Sequence, residues 1–120
     1  MMLLNPIKEP SQEGDSPAKA APETAPPQNV TGNPRIVCLC GSTRFYQQFQ
    51  QANYSETMLG RIVLSVGFYP HSQDEMHVDQ KIRLDELHKR KIDLADEILV
   101  INIGGYIGDS TKSEIAYAML

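Results

Sequence analysis

Three continuous apolar runs constrain this chain more than any other feature: Arg35-Ile36-Val37-Cys38-Leu39-Cys40, Arg61-Ile62-Val63-Leu64-Ser65-Val66 and Ile98-Leu99-Val100-Ile101-Asn102. They are rich in β-branched residues and do not alternate apolar with polar, so each predicts a strand buried on both faces, as in a parallel sheet covered by helices. Between the first two, Phe45, Phe49, Ala52, Glu56 and Leu59 recur at helical spacing, and Gly60 closes the segment as a C-terminal glycine does. A second helix is expected from about Asp79 to Ala95, with Leu84, Leu87, His88, Lys91, Ile92 and Ala95 along one side and Asp96 and Glu97 turning the chain. The polar segment Phe68 to Val78, with Pro70, reads as a loop over the rim of the sheet. Ile103 to Gly108 is glycine-rich, and Asp109 or Ser110 is expected to cap a helix beginning near Thr111. The expected fold is therefore α/β, a flavodoxin/Rossmann-like parallel sheet with helices on both faces joined by right-handed crossovers. The last helix has run barely two turns at Leu120, and a further parallel strand is expected after it, so the domain reads as C-terminally incomplete.

Composition divides the chain. Seven of its eight prolines fall within the first 34 residues, which carry no aromatic side chain. Such a stretch buries too little surface to offset its ordering entropy, so residues 1–33 are expected to be a disordered Pro/Ala-rich tail and residues 34–120 the folded domain. Met1-Met2-Leu3-Leu4 is apolar but ends at once in Asn5, Pro6 and Lys8, too short for a signal-peptide core or a membrane span. A soluble, cytoplasmic protein is expected, with no membrane partner. The net charge of -4 argues against duplex nucleic acid, whose phosphates demand a basic stripe. Lys89-Arg90-Lys91 is the one basic run, and it reads as a solvated helix face. Cys38 and Cys40 sit on one face of a strand, and no ordered Cys/His spacing accompanies them. They read as two buried thiols rather than metal ligands, although His71, His77 and His88 would be the histidines to consider.

Ligands of an open α/β sheet sit outside the carboxyl ends of the strands, where loops meet helix N-termini. Gly41-Ser42-Thr43-Arg44 follows the first strand and opens a helix, so its backbone N–H groups and the helix dipole favour an anion, with Arg44 able to add a bidentate contact to a phosphate. A tight turn capped by serine is the plainer reading of the same residues. Glu114 lies one turn into a helix whose N-terminus faces that rim, where the dipole favours the ionised carboxylate a nucleophile requires.

Three segments together resemble the nucleoside 2-deoxyribosyltransferase superfamily, which includes the 2'-deoxynucleoside 5'-monophosphate N-glycosidases. They are Ile36 to Arg44, the pair Ala95-Asp96 before a hydrophobic strand, and Ser113-Glu114-Ile115-Ala116-Tyr117-Ala118. The resemblance implies that Glu114 is the nucleophile and that Gly41, Ser42 and Arg44 hold the substrate or its 5'-phosphate, with Thr43, Asp109 and Ser110 on the same rim. Family enzymes commonly carry an aspartate eight residues before the Asp that opens the third strand. His88 stands there, with Asp85 one turn earlier, so protonation of the leaving base falls to His88 or Asp85. Ser113 and Ile115-Ala116 also differ from the residues usual around the nucleophile.

The function implied is cleavage or transfer at the N-glycosidic bond of a (deoxy)nucleoside or its 5'-monophosphate, through a covalent glycosyl-enzyme and with no metal or organic cofactor. The partner is then a small-molecule nucleoside or nucleotide, and the family completes its sites across subunit contacts, which implies a homo-oligomer. Two rivals stand beside it: a nucleotide-binding module of the same fold that no longer cleaves, and a structural α/β domain.

Overall fold

A computed structural model describes residues 1–4, 32–67 and 77–120. Within them lie four strands, β1 (Met2–Leu4), β2 (Ile36–Gly41), β3 (Ile62–Leu64) and β4 (Glu97–Ile101), and three helices, α1 (Tyr46–Met58), α2 (Val78–Leu94) and α3 (Asp109–Ala118). The strands form one sheet in the order β1-β4-β2-β3. β2 runs parallel to both β3 and β4, with Cys38 opposite Leu64 on one side and Ile98 on the other.

The side-chain alternation of β2 and β4 builds two cores. Val37 and Leu39 point to one face, where Phe49 and Ala52 of α1 join Leu99 and Ile101. Cys38 and Cys40 point to the other, with Ile92 of α2, Ala118 of α3, Ile98 and Val100. The runs of β2 and β4 are thus covered on both sides, as expected of strands with no solvent face. The run of β3 corrects that expectation: it is the outermost strand among the described residues, Ile62 is 45% exposed and none of its three residues is fully buried. Gly60 takes a φ of 87°, the left-handed conformation that ends α1 at low steric penalty.

The sheet is mixed rather than wholly parallel. Met2, Leu3 and Leu4 pair antiparallel with Val100, Leu99 and Ile98. This corrects the expectation of a disordered tail for these residues, and the physical reason lies in β4. All five of its residues are buried, and without β1 its outer row of backbone groups would be an open edge. The remainder of the Pro/Ala-rich stretch, 5–31, lies outside the described residues, as does 68–76 of the expected rim loop.

Three local expectations change. Glu97 belongs to β4 and is buried, its carboxylate 3.2 Å from the Arg35 guanidinium, while Asp96 alone makes the turn and accepts from the Ile36 N–H at 2.8 Å. Gly108, not Asp109 or Ser110, is the N-cap of α3, which offers no side-chain cap bond. On α2, His88 and Ile92 are buried as expected, but Leu84 and Leu87 are 40% and 53% exposed. They border a cavity instead of the core. No helix among the described residues is long and apolar enough to cross a membrane.

Candidate active site

After β2 the chain passes through α1 to β3 on one side, and after β3 through α2 to β4 on the other. The crevice between the carboxyl ends of β2 and β4 is therefore the point where the strand order reverses, the usual ligand position in such sheets. A cavity of about 720 Å³ lies there, within the size range of small-molecule sites. Gly41, Ser42 and Thr43 form one wall, Val66 and Gly67 a second, and Lys81, Leu84, Asp85, Leu87, His88 and Lys91 of α2 a third. Tyr106, Gly108, Asp109, Ser110, Thr111 and Glu114 complete the lining among the described residues. Eight of the nine residues singled out from the sequence thus meet around one space, although they come from three separate segments.

Gly41 stands where β2 meets β4. A Cβ there would come within 3.0 Å of both Cβ and the carbonyl oxygen of Ile101, and 3.4 Å from the Phe49 ring, so the residue is glycine because the strands approach too closely for a side chain. Ser42 then caps a short 3-10 turn over Thr43–Phe45, accepting from the Arg44 N–H at 3.3 Å. Arg44, the ninth residue, is not part of the cavity wall. Its guanidinium lies 4.1 Å from the centre of the Tyr106 ring and donates to the Tyr106 hydroxyl at 3.3 Å. Tyr106 is itself a wall residue, so Arg44 acts on the cavity through that ring.

Glu114 is only 8% exposed, and its Oε1 is buried without a hydrogen-bond partner among the described residues. Burial pushes the carboxyl up to about 7, with the nearby His88 pulling the other way. Desolvation therefore outweighs the helix dipole that was expected to keep this group ionised, because the dipole is worth at most ~2 kcal/mol and Glu114 sits behind the rim. His88 Nε2 lies 3.9 Å from Glu114 Oε1 and 3.1 Å from the Leu39 carbonyl oxygen. Burial alone would lower this imidazole, but the Cys38 thiol and the Glu114 carboxyl outweigh it and raise it above its ordinary value. Asp85 is more open and is held by Lys81 at 3.0 Å.

Several residues of the site were not apparent in the sequence. Lys81 Nζ bridges Asp85 and the Ser110 hydroxyl, the latter at 2.8 Å, and so places a cation at the start of α3. Lys91 donates to the Ser65 carbonyl at 2.6 Å, tying α2 to the end of β3. Tyr117 donates to Asp93 at 2.6 Å and accepts from Arg90 at 2.8 Å, which fixes α3, and with it Glu114, against α2. The basic run Lys89-Arg90-Lys91 is thus more than a solvated face. The helical spacing of Lys81 and Asp85 was the one signal that pointed to any of these contacts.

Comparison of the chain with protein-family models and with curated proteins, and of its fold with solved structures, found no match.

Proposed function

We propose that this chain cleaves, or transfers the sugar across, the N-glycosidic bond of a (deoxy)nucleoside or its 5'-monophosphate, with Glu114 as nucleophile. The observation that carries the reading is the position of Glu114: a buried carboxyl with an orphaned oxygen, in the wall of the cavity that also holds the Gly41-Ser42-Thr43 turn. The resemblance of Ile36 to Arg44 and Ser113 to Ala118 to the nucleoside 2-deoxyribosyltransferase superfamily supports it. So does the order β3-β2-β4 of the parallel strands, which is compatible with a flavodoxin/Rossmann-like arrangement.

In this reading the sugar lies between the turn and α3. The ionised Glu114 forms a bond to the anomeric carbon as the bond to the base breaks, and water or a second base later releases the sugar. His88 or Asp85, both in the cavity wall, supplies the proton that the departing base takes. A 5'-phosphate would meet the turn amides together with Lys81 and Ser110 at the start of α3.

One observation favours a second reading, a nucleotide-binding module that does not cleave: Glu114 is buried and its carboxyl lies near 7, so it is only partly ionised at neutral pH. A panel of nucleosides and their 5'-monophosphates separates the two. Release of free base, lost by more than roughly 10⁴-fold in Glu114→Gln, is expected for a nucleophile, beyond the ~10²–10⁴ of acid–base help alone. A ligand-induced rise in melting temperature with no base released would select the binding module.

A further inference from the structure

Behind the cavity, three soft or nitrogenous donors converge in the core. Cys38 and Cys40 are both fully buried on the same face of β2, and His88 of α2 is 5% exposed beside them. His88 Nε2 lies 3.6 Å from Cys38 Sγ and 3.7 Å from Cys40 Sγ, and the three atoms all fall within 4.8 Å of one another. With zinc bonds of ~2.3 Å to sulfur and ~2.0–2.1 Å to nitrogen, tetrahedral geometry separates a sulfur and a nitrogen ligand by about 3.6 Å. The observed separations match that figure. Glu114 stands beside this group of three, its Oε1 3.9 Å from the same Nε2 and without a hydrogen-bond partner among the described residues.

Apolar packing alone does not ask for this arrangement. Valine or alanine would fill the β2 positions without placing two thiols against an imidazole and a carboxyl. A buried carboxyl oxygen without a donor loses its hydration with nothing in return, and a cation among these ligands would supply the missing partner. His88 and Glu114 also line the cavity, which gives an ion a route from solvent.

We propose that Cys38, Cys40 and His88 form a binding site for zinc, with the adjacent Glu114 carboxylate turning toward the ion as the fourth ligand. Thiolate and imidazole together select such a cation over calcium or magnesium. Two thiolates neutralise a divalent ion, and the Glu114 carboxylate adds one negative charge at the side that faces the cavity. On binding, each thiol gives its proton to solvent, and so does the Glu114 carboxyl where it is protonated. The imidazole presents an unprotonated Nε2 and keeps its proton on Nδ1, so the contact to the Leu39 carbonyl is exchanged for the metal bond. The site does not rest on the glycosidase reading, and binding is read on the metal itself. If both hold, zinc draws on the same Glu114 that attacks the sugar, and the loaded protein is the inactive form.

The test titrates cobalt(II), a spectroscopic stand-in for zinc, into the reduced, chelator-treated full chain. One equivalent should raise a thiolate-to-cobalt charge-transfer band that zinc then abolishes, and Cys38→Ser and Cys40→Ser should each weaken it strongly. Absence of the band in the folded wild-type protein, or its survival undiminished in both variants, overturns the site. Should the variants fail to fold, X-ray absorption at the zinc edge on the intact protein decides the matter. Two sulfur neighbours with nitrogen and oxygen completing the shell are expected, whereas a shell of nitrogen and oxygen alone refutes it.

Discussion

Gly41→Ala places a methyl group where β2 and β4 are in closest contact. The new Cβ would stand 3.0 Å from the Ile101 Cβ and from the Ile101 carbonyl oxygen, and 3.4 Å from the Phe49 ring. Phe49 is 1% exposed, and Gly41 pairs with Ile101 in the parallel register, so neither neighbour gives way without moving backbone or a packed ring. Overpacking of this kind costs about 1–3 kcal/mol. Alanine also removes freedom from the unfolded chain, which offsets about 0.4–1 kcal/mol of that loss. A net destabilisation of roughly 1–2 kcal/mol corresponds to a fall in melting temperature of about 4–16 °C for a domain of this size. Circular dichroism melts of the two proteins, with urea titrations at constant m-value, measure it. Gly67→Ala is the control, since among the described residues the nearest atom to its Cβ is the flexible Lys91 Nζ at 3.9 Å, and it should leave stability within about 1 kcal/mol. An unchanged or raised melting temperature for Gly41→Ala would show that the turn is not held by close contact with β4. The reasoning that makes this glycine a steric requirement would then fail.

Three further outcomes are expected. In the metal-free protein the Glu114 carboxyl rises from an ordinary 4.5 to about 7, so the stability it contributes is full below pH 4.5 and is lost as pH climbs through 7. The loss is on the order of 3 kcal/mol at about 1.4 kcal/mol per pH unit, and urea midpoints at pH 5 and pH 8 should fall less in Glu114→Gln than in wild type; parallel falls would refute the assignment. Deleting Met1–Leu4 opens the edge of β4 and should cost roughly 1 kcal/mol, with increased self-association on size exclusion, whereas an unaltered protein would mean that β1 adds nothing. A nucleoside 5'-monophosphate should bind more tightly than its nucleoside in calorimetry, with Lys81→Ala and Arg44→Ala each eroding the difference, and equal affinities in the intact protein would remove the phosphate subsite.

What the sequence determined by itself is the set of elements from β2 onward and the rim on which they open, whereas β1 was read as part of the tail. Ile36-Val37-Cys38-Leu39-Cys40 and Ile98-Leu99-Val100-Ile101 lack any polar alternation, and a strand without a polar face must be covered twice, so two flanking helix layers follow from local pattern alone. Gly60 after α1 was legible because a left-handed residue is a local demand of the backbone. The convergence of side chains was not legible. Cys38 and His88 are 50 positions apart, and their meeting at 3.6 Å depends on α2 lying on one particular face of β2. The turn of Arg44 onto Tyr106, 62 positions away, depends on β4 being the neighbour of β2. Glu114 was expected at an open rim, yet the packing of α3 on β2 and α2 buries it, and burial decides its charge more than the dipole of its own helix does. Periodicity reports what a segment needs covered. Which residues then face one another, and how much water remains between them, is set by strand order and register, and those exist only once the sheet has assembled.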